Sequence, residues 1–202
     1  MFSSQLPLTL LFSVLAVFVW SVIHPHDTFT WFLETFPAMI GLAVLLPTYK
    51  RFRLTNLAYF LIAVHMVILM VGGHYTYAEV PLFNWIRDFF HHARNNFDKV
   101  GHFWQGFGPA IVAREIIIRT SPLKKGRWLF FLVTCFCLAL SACYELLEWR
   151  VSVATGSSGD AFLGTQGDPW DTQEDMATAW VGSLAALFLL PKIHDRQLKK
   201  LK

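Results

Sequence analysis

Charged residues are scarce in this chain of 202 residues. Asp, Glu, Lys and Arg together make up 15% of it, against about 25% in a typical soluble domain. Hydrophobic residues reach 54%, including 19 Phe and 8 Trp, and the mean hydropathy is +0.43. This balance indicates a membrane protein. The formal net charge of +3 is too small to suggest a nucleic-acid partner.

Cysteines are few, and nucleotide-binding patterns are absent. Cys135, Cys137 and Cys143 fall in one apolar run, where we expect small buried side chains rather than a disulfide or a metal pair. The sequence has no Gly-x-x-x-x-Gly-Lys, no Gly-x-Gly-x-x-Gly and no Gly-x-Ser-x-Gly. A phosphate-binding loop, a dinucleotide site and a serine nucleophile elbow are therefore not expected.

Six apolar stretches predict membrane-spanning helices, since a hydrocarbon core requires roughly 20 residues. They run from Leu6 to Ile23, Thr30 to Pro47, Thr55 to Gly72, Val100 to Ile118, Trp128 to Val151 and Met176 to Leu190. The first is interpreted as a retained span, because "MFSSQ" has no positive charge and "SVIHPHDTF" offers no small-x-small cleavage site.

The positions of Lys and Arg predict the orientation. Residues 50–53, 119–127 and 192–202 follow or separate alternate spans and hold 12 of the 17 cations. Cytoplasmic connections are the ones enriched in Lys and Arg. Both termini are therefore predicted to be cytoplasmic, and the connection between spans five and six is predicted to face outward.

The connection after span three predicts an amphipathic helix. In "PLFNWIRDFFHHARNNFD", apolar residues recur at spacings of three and four, from Leu82 through Trp85 and Phe89 to Phe97. Such a helix lies in the membrane interface. It either floors the loop or acts as a gating or lipid-sensing element.

We therefore predict an all-α fold: a polytopic bundle of six transmembrane helices plus one interfacial amphipathic helix. Residues 1–202 form a single integral membrane domain. Within it, 1–72 hold spans one to three, 73–97 the outer interfacial helix and loop, 98–190 spans four to six with a polar site, and 191–202 a basic cytoplasmic tail.

Polar residues in spans four to six converge at one depth. Asp98, His102 and Gln105 share a face of span four, and Ser141, Glu145 and Glu148 share a face near the outer end of span five. The stretch "FLGTQGDPWDTQEDM" then opens span six with Asp171, Glu174 and Asp175. Ionisable groups inside a span are unfavourable toward lipid, so we expect them to face one another.

This convergence leaves an excess of negative charge. Six carboxylates (Asp98, Glu145, Glu148, Asp171, Glu174 and Asp175) are expected to have only Lys99, Arg150 and a protonated His102 as cationic neighbours. Either protons are shared among them, or a cation completes the site. The candidate metal ligands are Asp98, His102, Glu145, Asp171 and Asp175, and the candidate acid or base groups are the same five with Glu148. Oxygen ligands with one histidine suit Mg²⁺, Mn²⁺ or Zn²⁺.

Simpler interpretations exist for some of these residues. Thr172 and Asp175 fit a capping box, and Asp168-Pro169 fits an N-cap followed by Pro at the first helical position. Glu174 is interpreted as helix-terminal only. Capping does not explain Glu145 and Glu148, which approach the C-terminal end of a span, where the helix dipole disfavours negative charge.

Three segments carry a resemblance to a known family. "RNNFDKVGHFWQGFGPAIVAREIIIR", "LALSACYELLEW" and "FLGTQGDPWDTQEDM" together resemble the YjdF family of bacterial inner-membrane proteins over about Gly73 to Leu190. More distantly, the chain is similar to the pattern of VanZ-like proteins, which are linked with resistance to glycopeptide antibiotics, at Asp98, Lys99, His102, Phe103, Glu145, Asp171, Asp175 and Gly182. Those proteins commonly have Asn before the glycine, where this chain has Val181. The resemblance implies an inner-membrane protein and the location of a site, and it names no reaction.

Three functions remain open at this point. The first is a binding or catalytic site at the outer leaflet that acts on a lipid or envelope precursor, with a metal to polarise a phosphoryl or acyl oxygen. The second is a cation- or proton-coupled transporter, although no inverted repeat is visible. The third is a non-catalytic envelope protein whose polar network locks helix packing. Membrane lipid is the expected partner in each.

Overall fold

The computed structural model describes residues 5–156, 162 and 164–201, which contain helices and connecting segments but no β-strand. In chain order the helices are α1 (Leu6–Val22), α2 (Thr28–Thr48), α3 (Asn56–Tyr75), α4 (Pro81–Phe90), α5 (Phe97–Thr120), α6 (Arg127–Thr155), α7 (Asp171–Leu189) and α8 (Pro191–Leu198), with a 3₁₀ turn at Tyr77–Glu79. Residues 1–4 of the leading stretch, and Lys202 of the basic tail, lie outside the described residues. The all-α class is confirmed.

Each of the six predicted spans corresponds to a helix. By length and composition, α2, α3 and α6 are able to cross a membrane, and α7 with α8 adds a fourth span if that pair, bent by 62°, is taken as one. The apolar α1 has only 17 residues. Helix α5 is long enough but carries Asp98, Lys99, Arg114, Glu115 and Arg119 along its length. Within the described residues the count by this measure is therefore three or four, not six.

Local signals set where several helices begin. Asp27 accepts a hydrogen bond from the Thr30 amide at 2.7 Å and caps α2. Thr55 caps α3 by accepting from the Ala58 amide at 3.2 Å. Each of α1, α4 and α8 has one proline within its first two positions, where the missing N–H removes no helical hydrogen bond.

Helix α3 connects the two halves of the bundle. It packs against α1 and α2 on one side and against α5 on the other, while α5, α6 and α7 pack together. Val14, Ala38, Met66 and Met70 belong to the core of the first half. The larger core joins the halves through Ala58, Ile111, Val133, Ala186 and their neighbours.

Helices α5 and α7 run in the same direction and touch through their backbones. A Cβ atom on Gly106 would lie 1.7 Å from the Ala179 carbonyl oxygen, and one on Gly182 would lie 2.1 Å from the Phe103 carbonyl oxygen. Small residues allow this close approach. It brings the first turns of α5 and α7, which hold most of the predicted site residues, side by side.

The interfacial helix is shorter than predicted. α4 ends at Phe90 because His91 adopts a left-handed conformation with φ of 55° and closes the helix. Phe97, predicted to continue its apolar face, instead begins α5 and is buried against the rings of Tyr77 and Phe83. The helix itself has the predicted apolar row, since Leu82, Trp85, Phe89 and Phe90 are all at least 60% exposed.

The prediction that all three cysteines are buried was wrong. Cys137 is buried, but Cys135 and Cys143 are exposed on α6. In a membrane protein, the interior and the lipid-facing surface are both built from apolar residues, because lipid tails are as apolar as leucine. Hydrophobicity alone therefore does not separate the two faces of such a helix.

The basic segments meet at one end of the bundle. Arg119 donates to the Arg53 carbonyl oxygen at 2.7 Å, and Lys125 lies 2.8 Å from Asp195. The tail predicted from 191 onward includes α8, whose His194 and Leu198 are buried. The candidate site lies at the opposite end, where α5 and α7 begin.

Candidate functional site

The first turns of α5 supply the centre of the site. Asp98 and His102 lie one turn apart on one face, with the His102 Nε2 atom 3.3 Å from an Asp98 carboxylate oxygen. The other ring nitrogen, Nδ1, lies 3.2 Å from the Gln105 side-chain oxygen. Asp98 and His102 are both buried, so this predicted face points into the bundle.

Helix α7 adds Asp171 and Asp175 from the adjacent side. Lys99 links the two helices, because its ammonium lies 2.9 Å from Asp175 and 3.2 Å from Asp171. Glu174 also lies 3.2 Å from Lys99, but its side chain is 54% exposed. The structure thus places Glu174 at the rim, whereas Asp171 and Asp175 are buried.

Helix α6 completes the cluster with two buried glutamates. One Glu145 oxygen, Oε1, lies 3.6 Å from His102 Nδ1 and has no hydrogen-bond partner among the described residues. Glu148 is also buried. Because α6 continues to Thr155, Glu148 lies about two turns before the end. The dipole effect that we expected there is confined to the last turn and does not reach it.

Arg94, just before α5, is the cation that sequence reasoning missed. Its guanidinium contacts Asp171, lies 3.3 Å from Asp98 and 3.4 Å from Asp168, and donates to the Gly164 carbonyl oxygen at 3.4 Å. Burial alone would lower the pKa of this guanidinium. The hydrogen bond to Asp171 and the surrounding carboxylates outweigh that effect and raise the pKa.

The prediction that Arg150 accompanies the carboxylates was wrong. Its guanidinium lies over the Trp149 ring, 5.6 Å from the ring centre. No carboxylate among the described residues lies within ion-pairing distance of it. Arg150 follows Glu148 by two positions, about half a helical turn. It therefore points away from the face that holds Glu145 and Glu148.

The segment before α7 is fastened to the start of α5. Gln166 exchanges two hydrogen bonds with the Asn95 backbone: its side-chain oxygen accepts from the amide at 3.0 Å, and its side-chain nitrogen donates to the carbonyl at 2.9 Å. Asp168 accepts from the Trp170 amide at 2.9 Å. The predicted capping box was wrong, since α7 begins at Asp171 with no side-chain cap. Asp175 is instead free to face Lys99 and His102.

A cavity of about 110 Å³ lies beside the cluster. Its polar lining comes from four helices and the turn after α3: Glu34, His65, Tyr77, Asp98, His102, Gln105, Tyr144 and Glu148. Glu34 and Pro37 of α2 both line this cavity. His65 of α3 lines it as well. A uniformly apolar stretch such as α3 does not show which of its sides faces the cavity.

Three residues have the arrangement of a metal site. Asp98, His102 and Asp175 each offer one ligand atom, and these atoms lie within 4.8 Å of one another. All three are buried. The His102 Nε2 atom is 3.7 Å from the nearer Asp175 oxygen. Asp98 and His102 come from α5 and Asp175 from α7, and hard divalent cations favour such carboxylate oxygens.

A second polar network lies at the basic end of α5. Arg114 is only 5% exposed and donates to Asp195 at 2.7 Å and to His194 at 2.8 Å. Glu115 accepts from the Thr55 hydroxyl at 2.7 Å and lies 3.1 Å from His194 Nε2. The partners of Arg114 come from α8, which packs across the end of the bundle. They satisfy the guanidinium inside the protein.

Comparisons with known proteins agree with the resemblance in the three segments. The family model described as predicted membrane protein (DUF2238) matches residues 6–196. Inner membrane protein YjdF of Escherichia coli (strain K12) is 46% identical over 198 residues, which cover 98% of this chain and 92% of that protein. No solved structure matches the chain. The predicted membership is confirmed, and the chain belongs to the DUF2238 family of membrane proteins.

Proposed function

We propose that this protein is a multi-pass protein of the bacterial inner membrane with six spans and both termini in the cytoplasm. The inner-membrane location is supported by the similarity to inner membrane protein YjdF. The orientation is supported by the basic segments, which gather at one end of the bundle while the acidic cluster lies at the other. Cytoplasmic ends carry the excess of Lys and Arg. The cluster then faces the outer leaflet.

Six spans are compatible with the helices if α1 and α5 also cross. The length of α1, 17 residues, reaches the lower limit of a tilted or locally thinned span. Most ionisable residues of α5 lie in two networks near its ends, and the stretch between Gln105 and Arg114 carries no charged residue. Six crossings also place both termini on the same side.

We infer that the acidic cluster binds a divalent metal ion and acts on a lipid or envelope precursor. The single observation that carries this is the buried triad of Asp98, His102 and Asp175, whose ligand atoms lie within 4.8 Å of one another. Glu145 supports it, because a buried carboxylate oxygen without a hydrogen-bond partner is costly unless a cation or a proton meets it. Asp171 is less suited as a ligand, since both Arg94 and Lys99 pair with it, whereas of these two cations Asp98 pairs with Arg94 alone and Asp175 with Lys99 alone.

The chemistry follows from the charges. A bound metal would polarise a phosphoryl or acyl oxygen of a ligand that enters from the membrane. Glu145 and Glu148, on the α6 side, are placed to accept or donate a proton. The distant similarity to VanZ-like proteins points to the same class of ligand, an envelope precursor. Arg94 and Lys99 balance part of the carboxylate charge and hold α5 against α7.

A cation- or proton-coupled transporter is the second candidate. In its favour, a second buried ionisable network, with Arg114, Glu115 and His194, lies at the other end of α5. Against it, the two networks are separated by the backbone contact of α5 with α7 at Gly106 and Gly182. Such close packing leaves no room for an ion along that interface. A polar network that only locks the helices is the third candidate.

Metal titration of the purified protein in detergent tests the proposal. Chelator-treated protein is supplied separately with Mg²⁺, Mn²⁺ and Zn²⁺, and bound metal is measured by elemental analysis. We expect close to one equivalent for at least one ion, and loss of most of it in Asp98→Asn and Asp175→Asn. Glu174→Gln is the matched control, because Glu174 touches the same Lys99 but lies at the rim.

Two outcomes separate the candidates. No binding of any of the three ions, by protein whose thermal unfolding is unchanged, overturns the metal site and leaves transport or packing. If metal binds, release of phosphate or fatty acid from membrane lipid in detergent, without a gradient, favours catalysis. Uptake that a protonophore abolishes favours transport instead.

A further inference from the structure

A larger cavity lies in the other half of the bundle, between α1, α2 and α3. Its volume is about 390 Å³, within the range of roughly 300 to 1,000 Å³ that small-molecule sites occupy. The lining is almost wholly apolar and includes Leu11, Val14, Leu42, Leu46, Ile62 and Met66. The contact network of the acidic site does not involve these residues. This groove is therefore a separate feature of the molecule.

The groove lies in the part of α1, α2 and α3 nearest the basic end of the bundle. Pro7 and Leu8 come from the first turn of α1, Tyr49 directly follows α2, and Tyr59 is in the first turn of α3. From these residues it extends inward to Val14 and Met66, about two turns deeper. Its long axis therefore follows the helices, as a lipid chain does in a bilayer leaflet.

Three cations follow the groove-lining residue Tyr49 in the chain. Lys50, Arg51 and Arg53 follow α2, and the Arg53 guanidinium lies 5.7 Å from the ring centre of Tyr49, which lines the groove. The Nε atom of Arg53 is buried and has no hydrogen-bond partner among the described residues. Throughout residues 5–156, 162 and 164–201, no carboxylate lies within 4.0 Å of these cations. Within those residues, no carboxylate balances their charge.

We propose that the groove holds one acyl chain of an anionic phospholipid, whose phosphate is bound by Arg53 and its neighbours Lys50 and Arg51. An apolar groove alone does not distinguish one lipid from another, because lipid tails are as apolar as leucine. The selectivity comes from the headgroup, and the unpaired guanidinium beside the groove favours a negative one. The occupant is a lipid of the leaflet at the basic end, independent of any ligand of the acidic cluster.

Native mass spectrometry of the detergent-solubilised protein tests the proposal with phosphatidylglycerol as the probe. We expect one molecule to bind more tightly than phosphatidylcholine of the same chain length. Arg53→Gln should weaken phosphatidylglycerol binding about fivefold, the effect of removing one cation near a membrane surface. Lys124→Gln, which removes an exposed cation from another basic segment, should leave it unchanged.

The groove itself is tested by filling it. Leu42→Trp and Leu46→Trp should each abolish the bound phosphatidylglycerol, whereas Leu189→Trp, at a residue 69% exposed and outside the groove, should not. Two independent positions guard against one variant failing to fold, which thermal unfolding detects. Equal binding of both lipids, or full binding in both groove variants, overturns the proposal. Dimers that disappear in the groove variants would also overturn it, because the occupant would then be a second copy.

Discussion

Arg94 pairs with three carboxylates at the site, as many as Lys99 does. It lies outside every predicted span, yet its side chain is only 11% exposed and meets Asp98, Asp168 and Asp171. The contact with Asp98 stays within the start of α5, whereas those with Asp168 and Asp171 join it to the segment before α7 and to the start of α7. A planar guanidinium with five donors suits such a position better than a single ammonium.

Replacement of Arg94 is expected to destabilise the protein strongly. Arg94→Gln removes the charge that faces two buried carboxylates, and breaking one partner of a buried ion pair costs about 3 to 5 kcal/mol. Thermal unfolding in detergent, followed by circular dichroism, should show a clear drop in the midpoint. The unfolding midpoint of Arg94→Lys should lie between those of the unmodified protein and Arg94→Gln, since an ammonium keeps the charge but replaces only some of the hydrogen bonds.

Arg87→Gln is the matched control for Arg94. It removes the same kind of side chain from exposed α4, where the arginine pairs only with its neighbour Asp88 at 2.8 Å. Exposed pairs of this kind contribute little. An equal loss of stability in both variants would contradict the role assigned to Arg94 and point to a general sensitivity of this end of the chain.

At the scale of single residues, the sequence predicted the buried acidic cluster but not its neighbours. Periodicity on one helix identified Asp98 with His102, and Glu145 with Glu148, as shared faces. It said nothing of Arg94 or Gln166, which reach the site because loops fold back over it. Loop residues have no periodic pattern, so their partners depend on the tertiary path of the chain.

At the scale of helices, the contact of α5 with α7 determines where the site forms. Gly106 and Gly182 let the two backbones touch, and this depth of contact sets Asp98 opposite Asp175 across Lys99 and His102. Gly108 lies two residues further along α5 and therefore on another face of the helix, where a Cβ atom would meet the Leu61 carbonyl oxygen at an ordinary distance of 3.6 Å.

Alanine substitutions at Gly106 and Gly108 are expected to have different effects on stability. Gly106→Ala is expected to lower the free energy of unfolding by about 1 to 3 kcal/mol, the cost of overpacking, or by more. The new Cβ atom would overlap the Ala179 carbonyl oxygen, and a backbone atom cannot turn away as a flexible side chain does. Gly108→Ala should change stability little. The measurement is the yield of monodisperse protein and its unfolding midpoint. Equal tolerance of both changes would refute the close contact.

Helix positions were largely predictable, while helix ends and faces were not. Long apolar runs located all six long helices within a few residues, because each must satisfy its backbone within an apolar environment. The end of α4 at His91 rests on one left-handed residue that has no sequence signature. The lipid-facing side of α6 was missed for Cys135 and Cys143, since lipid and protein interior select the same residues.

At the scale of the whole molecule, charge divides the bundle into two ends. The basic segments and the network of Arg114 with Asp195 lie at one end, and the acidic cluster with α4 lies at the other. The apolar row of α4, exposed at Leu82, Trp85 and Phe89, is placed to lie in the interface beside the cluster.

The orientation can be measured directly. In a background with Cys135, Cys137 and Cys143 replaced by alanine, His92→Cys marks the acidic end and Lys124→Cys marks the basic end. A membrane-impermeant maleimide applied to intact spheroplasts should label the first at once and the second only after permeabilisation. The positive-inside rule is the physical reason. The opposite pattern would place the acidic cluster in the cytoplasm.

The paired glycine contacts also govern how the protein is able to move. Parallel helices that interlock backbone to backbone at Gly106 and Gly182 do not slide past each other, because a shift of one turn would put side chains where only hydrogen atoms fit. Helices α5 and α7 therefore behave as one rigid body. Any opening of the cavity would therefore come from α2, α3 or α6 moving against that body, which would change the distances from His102 to Glu34 on α2 and to Glu145 and Glu148 on α6.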